Sequence, residues 1–205
     1  MEGGSFEMGE IVIDRGLGYI IAAILSAAAT FGAIWLKHYL YERKQDVVND
    51  HRSHENVYSS LQKMLKEFGA DRAYIYEFHN GEHFFSGQPQ KKFSCSYEWT
   101  GEGVSSESNR SQNYRVTNFH KYITHMISDG EFFREDVELI KDFSFRALLQ
   151  EKGVESLYNV ALKSANGKHI GFVGIDYVKS KKVLNEAQKR ELKVWARQIG
   201  AYLSN

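Results

Sequence analysis

The sequence predicts an α+β protein made of an N-terminal transmembrane helix, a helical stalk and one globular domain of mixed strands and helices. Three observations carry this. Gly16–Leu36 is a 21-residue run without a charged side chain. Lys37 to Phe68 then contains neither Pro nor Gly. From there β-type runs alternate with amphipathic ones to the end of the chain. At 42% hydrophobic and 25% charged in 205 residues, the chain has the proportions of a folded protein, with room for one domain beside the apolar run. The 26 Lys and Arg balance 26 Asp and Glu, which excludes a broad phosphate-binding surface and argues against a nucleic-acid partner. The lone cysteine, Cys95, excludes an intrachain disulfide and a multi-cysteine zinc site.

As a helix, 16–36 is about 31 Å long, matching the roughly 30 Å hydrocarbon core of a bilayer. Tyr19 at one end and Trp35, Tyr39 and Tyr41 at the other suit the two interfaces. A cleaved signal peptide would have a basic leader, whereas residues 1–15 hold Glu2, Glu7, Glu10 and Asp14 against Arg15 alone. Lys37, Arg43, Lys44 and Arg52 follow the run, so the positive-inside rule leaves 1–15 as a short extracytoplasmic tail. The expectation is a single-pass cell-membrane protein with its C-terminal domain in the cytoplasm. Gly18, Ala22, Ser26 and Ala29/Ala33 recur at three- and four-residue steps, a stripe that favours a homo-oligomer.

Residues 37–52 read as a stalk merging into a first domain helix near Ser53–Phe68, ended by Gly69. Leu40, Val47, Leu61 and Phe68 share one heptad position, with Tyr58 and Leu65 on a second, but Lys44, His51 and His54 interrupt the seam. Arg72–His79 and Lys91–Thr100 are strands, joined through Asn80–Gln90 with Asn80-Gly81 as a turn. Gly101–Asn113 is a polar, Ser-rich loop. Tyr122–Ser128, Glu131–Lys141 and Phe145–Lys152 read as short helices. Leu157–Lys163 and Lys168–Val178 form a hairpin about Asn166-Gly167. Asn185–Leu203 closes the chain as an amphipathic helix with Leu192, Trp195, Ile199 and Leu203 on one face.

The stretch GVESLYNVALKSANGKHIGFVGIDYV with its closing helix resembles the C-terminal half of GAF domains, and a helix followed by RAYIYEFHNG matches the front half in order. The resemblance covers about Ser53–Leu203, making 53–205 a GAF-like cytosolic domain. It implies a central antiparallel sheet with helices on both faces: the first and last helices on one, short helices and loops over a ligand cavity on the other.

Catalytic readings are weak. His79-Asn80-Gly81-Glu82-His83 spells the inverted zinc-protease pattern, but that chemistry needs both imidazoles one helical turn apart, and Asn-Gly after a strand breaks a helix. Cys95 lies mid-strand as a core residue; some GAF enzymes reduce methionine sulfoxide with several cysteines, and others attach a bilin through one. No catalytic residue, metal or cofactor is expected. Binding remains. Tyr74, Tyr76 and Phe78 share one side of the first strand, and Ser94, Ser96 and Glu98 share a face of the second, opposite Phe93, Cys95 and Tyr97. Tyr76, Phe78, Ser94, Ser96 and Glu98, with Asn80 at the rim, supply the aromatic walls and placed polar groups of a pocket for a small polar or heterocyclic ligand. The expected function is a non-enzymatic small-molecule sensor held in the bilayer by 16–36. The alternative is a membrane-tethered scaffold whose domain binds no ligand and docks an unknown protein.

Overall fold

The computed structural model describes residues 15–42 and 47–204. Most of the acidic tail, together with Arg43 and Lys44, lies outside them. Helix α1 (Arg15–Glu42) contains one stretch long and apolar enough to cross a membrane, Gly18–Leu40, with mean hydropathy 2.0 and none of it buried within the chain. Trp35 and Tyr39 stack on its surface with ring centroids 5.5 Å apart.

The described residues fall into two units, one before His51 and one from His51 on. In the second, the end of α2 (Val47–Phe68) precedes strands β1 (Arg72–His83), β2 (Pro89–Thr100) and the short β3 (Tyr114–Arg115). Helix α3 (His120–Ser128), strand β4 (Glu131–Arg134) and helix α4 (Phe143–Glu151) follow, then the hairpin β5 (Ser156–Lys163) and β6 (His169–Tyr177), and helix α5 (Glu186–Tyr202). The six strands form one sheet in the order β3-β2-β1-β6-β5-β4, with every neighbouring pair antiparallel.

Two cores cover the two faces. On one, Val57, Leu61, Met64 and Phe68 of α2 meet Leu192, Ala196 and Ile199 of α5 over Ile75, Val173 and Ile175. Thus Leu61 and Phe68 of the expected stalk seam are spent on the sheet, while Tyr58 stays exposed. Helix α5 starts on a capping box, Asn185 accepting from the Gln188 amide and the Gln188 side chain accepting from the Asn185 N–H. The other core is aromatic: Tyr74, Tyr76, Phe93, Phe119, Tyr122, Phe132, Phe145 and Phe172. Its centre is the stacked pair Tyr122–Phe145, 3.9 Å between centroids.

Two elements differ from expectation. Glu131–Lys141 is not a helix: Glu131–Arg134 pairs with Val160–Leu157 of β5, and one 3-10 turn, Val137–Leu139, follows. Consecutive Phe132 and Phe133 enter opposite cores, so a strand covered on both faces loses the alternation that would reveal it. Asn80-Gly81 does not turn; β1 runs on to His83 and the chain reverses over Phe84–Gln88. A Cβ on Gly81 would lie 2.4 Å from the Gln90 carbonyl oxygen, so glycine there permits the close approach of β2.

Gly174 performs the same service deeper in the sheet. A Cβ there would meet Asn159 Oδ1 at 1.8 Å and the Tyr74 ring at 2.7 Å. Gly174→Ala is therefore expected to cost about 1–3 kcal/mol, read as a lower midpoint in denaturant, because both neighbours are fixed by hydrogen bonds.

Candidate functional site

The site is built on Arg72, the first residue of β1. Its side chain is 2% exposed, and the strand register sets it opposite Asp176 of β6. Arg72 Nε donates to Asp176 Oδ1 at 2.9 Å, and Nη2 donates to the Lys152 carbonyl at the end of α4 at 3.0 Å. Glu107, 5% exposed, brings a carboxylate oxygen to 3.9 Å from Arg72 Nη1, and Arg110 donates to the same carboxylate from outside. Lys152 turns inward, its Nζ donating to Tyr76 Oη at 3.0 Å and Ser111 Oγ at 2.6 Å.

Glu107 and Ser111 belong to the Gly101–Asn113 loop, which Glu98 holds down. The Glu98 carboxylate accepts the Glu107 N–H at 2.9 and 3.1 Å, the Ser108 N–H at 3.1 Å and the Ser106 hydroxyl. Charge-assisted bonds of this kind are about twice as strong as neutral ones. Beneath the charges, Tyr74 Oη donates to Asn159 Oδ1 at 2.9 Å and Asn159 Nδ2 donates to Tyr122 Oη at 2.8 Å. Among the described residues no buried side-chain nitrogen or oxygen lacks a hydrogen-bond partner. The free space left is only about 30 Å³, far below the roughly 300 Å³ of a small-molecule site.

Burial dominates the titration of Asp176 and Lys152. It raises the Asp176 carboxyl to about 6 although Arg72 pulls it back down, and it lowers the Lys152 ammonium. Between the ordinary carboxyl value near 3.8 and about 6, the folded chain binds the Asp176 proton and the unfolded chain does not. The stability tied to that proton is present in full below the lower value and is lost as pH rises through about 6. In denaturant titrations across pH 4–7, this downward slope is expected in the wild type and should be absent from Asp176→Asn.

The six predicted residues do not all come together. Tyr76 and Glu98 line the charged site. Phe78 and Asn80 border a separate open groove at the far end of the sheet. Ser94 accepts the Asn113 N–H at 2.8 Å and bonds His79 Nε2 at 2.9 Å, and Ser96 is exposed. The cause is a register break: Ile75 pairs with Tyr97 but Tyr76 with Cys95, leaving Ser96 as an extra residue. Beyond it the faces exchange, so Tyr97 joins the α2–α5 core while Glu98 points toward the loop, on the side of Phe93 and Cys95.

Sequence reasoning missed Arg72, Glu107, Lys152 and Asp176. A signal existed for two: an acid in the apolar run GIDYV and a base opening RAYIY read as a buried cross-strand pair once the strands are adjacent. His79 and His83 lie on extended chain, four residues or about 13 Å apart, and cannot share a metal as a helical pair would. Among the described residues no group of three or more His, Cys, Asp or Glu side chains could hold a metal ion. Cys95 is 6% exposed, and burial pushes its thiol up to about 12, away from the reactive thiolate.

No protein-family model matches the chain. No curated protein matches it either. Solved structures do. A red/green cyanobacteriochrome in its red-absorbing state superposes with a TM-score of 0.60 at 14% identity, over 74% of this chain and 94% of its own. The blue-absorbing PixJ GAF domain of Thermosynechococcus elongatus gives 0.59 at 12%, over 74% and 84%. A far-red-absorbing domain solved with bound biliverdin IXa gives 0.58 at 13%, over 76% and 97%. At such identities the likeness is one of architecture: the globular unit has a GAF-like fold.

Proposed function

We propose that the protein is a membrane-anchored, non-enzymatic sensor whose GAF-like domain binds a small polar or heterocyclic ligand beneath the Gly101–Asn113 loop. Residues 16–36 span the bilayer with the N-terminus outside, 53–205 face the cytoplasm, and the small-residue stripe of α1 associates with another copy. The observation that carries this reading is the sealed charge cluster: Arg72, Asp176, Glu107 and Lys152 lie over an aromatic bed, under a loop tied to one carboxylate. Such a cluster is weak evidence for stability, because desolvation offsets much of the attraction. It is well suited to recognition. Glu107, held by Arg110 and no closer than 3.9 Å to Arg72, stands where an anionic group of a ligand would stand once the loop lifts.

The biliverdin bound by the far-red-absorbing structure supports a heterocyclic occupant. A tetrapyrrole needs far more than 30 Å³, so binding here requires release of the loop. The nearly filled cavity, together with exposed Ile127, Leu139 and Phe143, favours the second reading, a scaffold that docks a protein. Native mass spectrometry of the full chain, released gently from a bilayer mimetic, tests the choice. A reproducible adduct of a few hundred daltons, lost in Tyr76→Ala and Glu98→Gln, is expected. A bare chain in repeated preparations would overturn the sensor and leave the scaffold.

A further inference from the structure

Strand β1 outruns its neighbour. Its last pairing with β6 is Glu77 with Gly171, and β6 begins at His169, yet β1 continues to His83 against β2 alone. The missing stretch of β6 leaves an open groove of about 490 Å³ beside Phe78, within the range of small-molecule sites. Its walls are aliphatic: Val116, Ile123 and Ile127 from one side, Ile170 and Leu203 from the other. Ile127 is 56% exposed although it belongs to an otherwise well-packed helix face.

The rim is basic. Lys91, Lys168, His79 and His169 border the groove, with Glu77 as the single carboxylate among its lining. None of these four basic residues is in an ion pair among the described residues. Lys91 is oriented by Asn80, whose amide oxygen accepts from its Nζ, and His79 by Ser94. At the tip of the same hairpin, Phe84 and Phe85 are exposed, Phe85 completely. An aliphatic trough, two lysine ammonium groups at its rim and protruding aromatics are the features that bind amphiphiles at an interface.

We propose that this groove is a second binding site, separate from the charged cluster, and that it takes an anionic amphiphile: a carboxylate or phosphate head on an acyl chain. The chain lies along Ile123, Ile127 and Ile170, and the head meets Lys91 and Lys168. Two sources share this chemistry, an anionic phospholipid of a bilayer and a free fatty acid.

The test uses the full chain in phosphatidylcholine nanodiscs doped with one diazirine-acyl probe at a time: phosphatidylglycerol, hexadecanoic acid or phosphatidylcholine. After photolysis, digestion maps the adducts. An anionic probe is expected to label residues 116–127 at least about tenfold more than the phosphatidylcholine probe. That excess should vanish in Lys91→Glu/Lys168→Glu and in Ile127→Glu, all exposed positions whose exchange leaves the cores intact. Labelling by phosphatidylglycerol assigns the bilayer as the source; labelling by the acid alone assigns the free amphiphile. Equal labelling by the zwitterionic probe, or adducts confined to α1 or the Phe84–Phe85 tip, would overturn the proposal. Neither result bears on the adduct expected at the charged cluster.

Discussion

Asp176→Ala is expected to destabilise the globular unit by about 3–5 kcal/mol, a large share of the stability of a domain this size. The loss comes less from the missing attraction than from what remains: an Arg72 guanidinium, 2% exposed, with its nearest carboxylate at 3.9 Å. Arg72→Ala should be comparably damaging, since it orphans Asp176 and the Lys152 carbonyl. The informative variant is the double replacement Arg72→Met/Asp176→Leu. Two apolar side chains of similar volume remove both desolvation costs, so the double variant should be more stable than either single one. Denaturant unfolding of the wild type, Arg72→Met, Asp176→Leu and the double variant closes the cycle. A double variant as unstable as the sum of the singles would mean that the pair is held for geometry alone.

Glu98→Ala should act locally. Removing the carboxylate takes away acceptors for two loop amides and the Ser106 hydroxyl. At about 1.5–3 kcal/mol for a hydrogen bond to a charged group, protection of amides 106–111 against hydrogen exchange should fall by one to two orders of magnitude. The β5–β6 hairpin, which makes no bond to Glu98, should exchange as before. Faster exchange throughout β1 and β2 would show that the loop is part of the global fold and not a separable lid. Under the sensor reading, the same variant admits ligand faster and holds it less well.

Much of the architecture could be read from residues. The Asn166-Gly167 hairpin and the Asn185 start of α5 follow local rules that tertiary contacts leave untouched. Element β4 could not, because Phe132 and Phe133 serve two cores and mimic a helical apolar pair. The site was half-legible. Tyr76 lies with Tyr74 on one side of β1, as alternation along that strand predicts. Counting failed on β2, since one extra residue, Ser96, inverts everything after it and nothing in FSCSYEW marks the irregularity. Glu98 therefore reached the site from the face opposite to the one assigned. Lys152 ends a short helix and Glu107 lies in a loop without periodicity, and only the folded chain shows what they approach.

Arg72 has a further consequence for the order in which the chain assembles. Its bond to Asp176 joins residues 104 positions apart, and its bond to the Lys152 carbonyl joins residues 80 apart. Closing loops of that length is entropically costly before contacts compensate, whereas the β5–β6 and β1–β2 hairpins form from near neighbours. The guanidinium must also stay hydrated until a carboxylate is ready beside it. Arg72 is thus expected to act as a late latch, absent from the folding transition state. Its loss should then appear mainly as faster unfolding, with the rate of folding little changed.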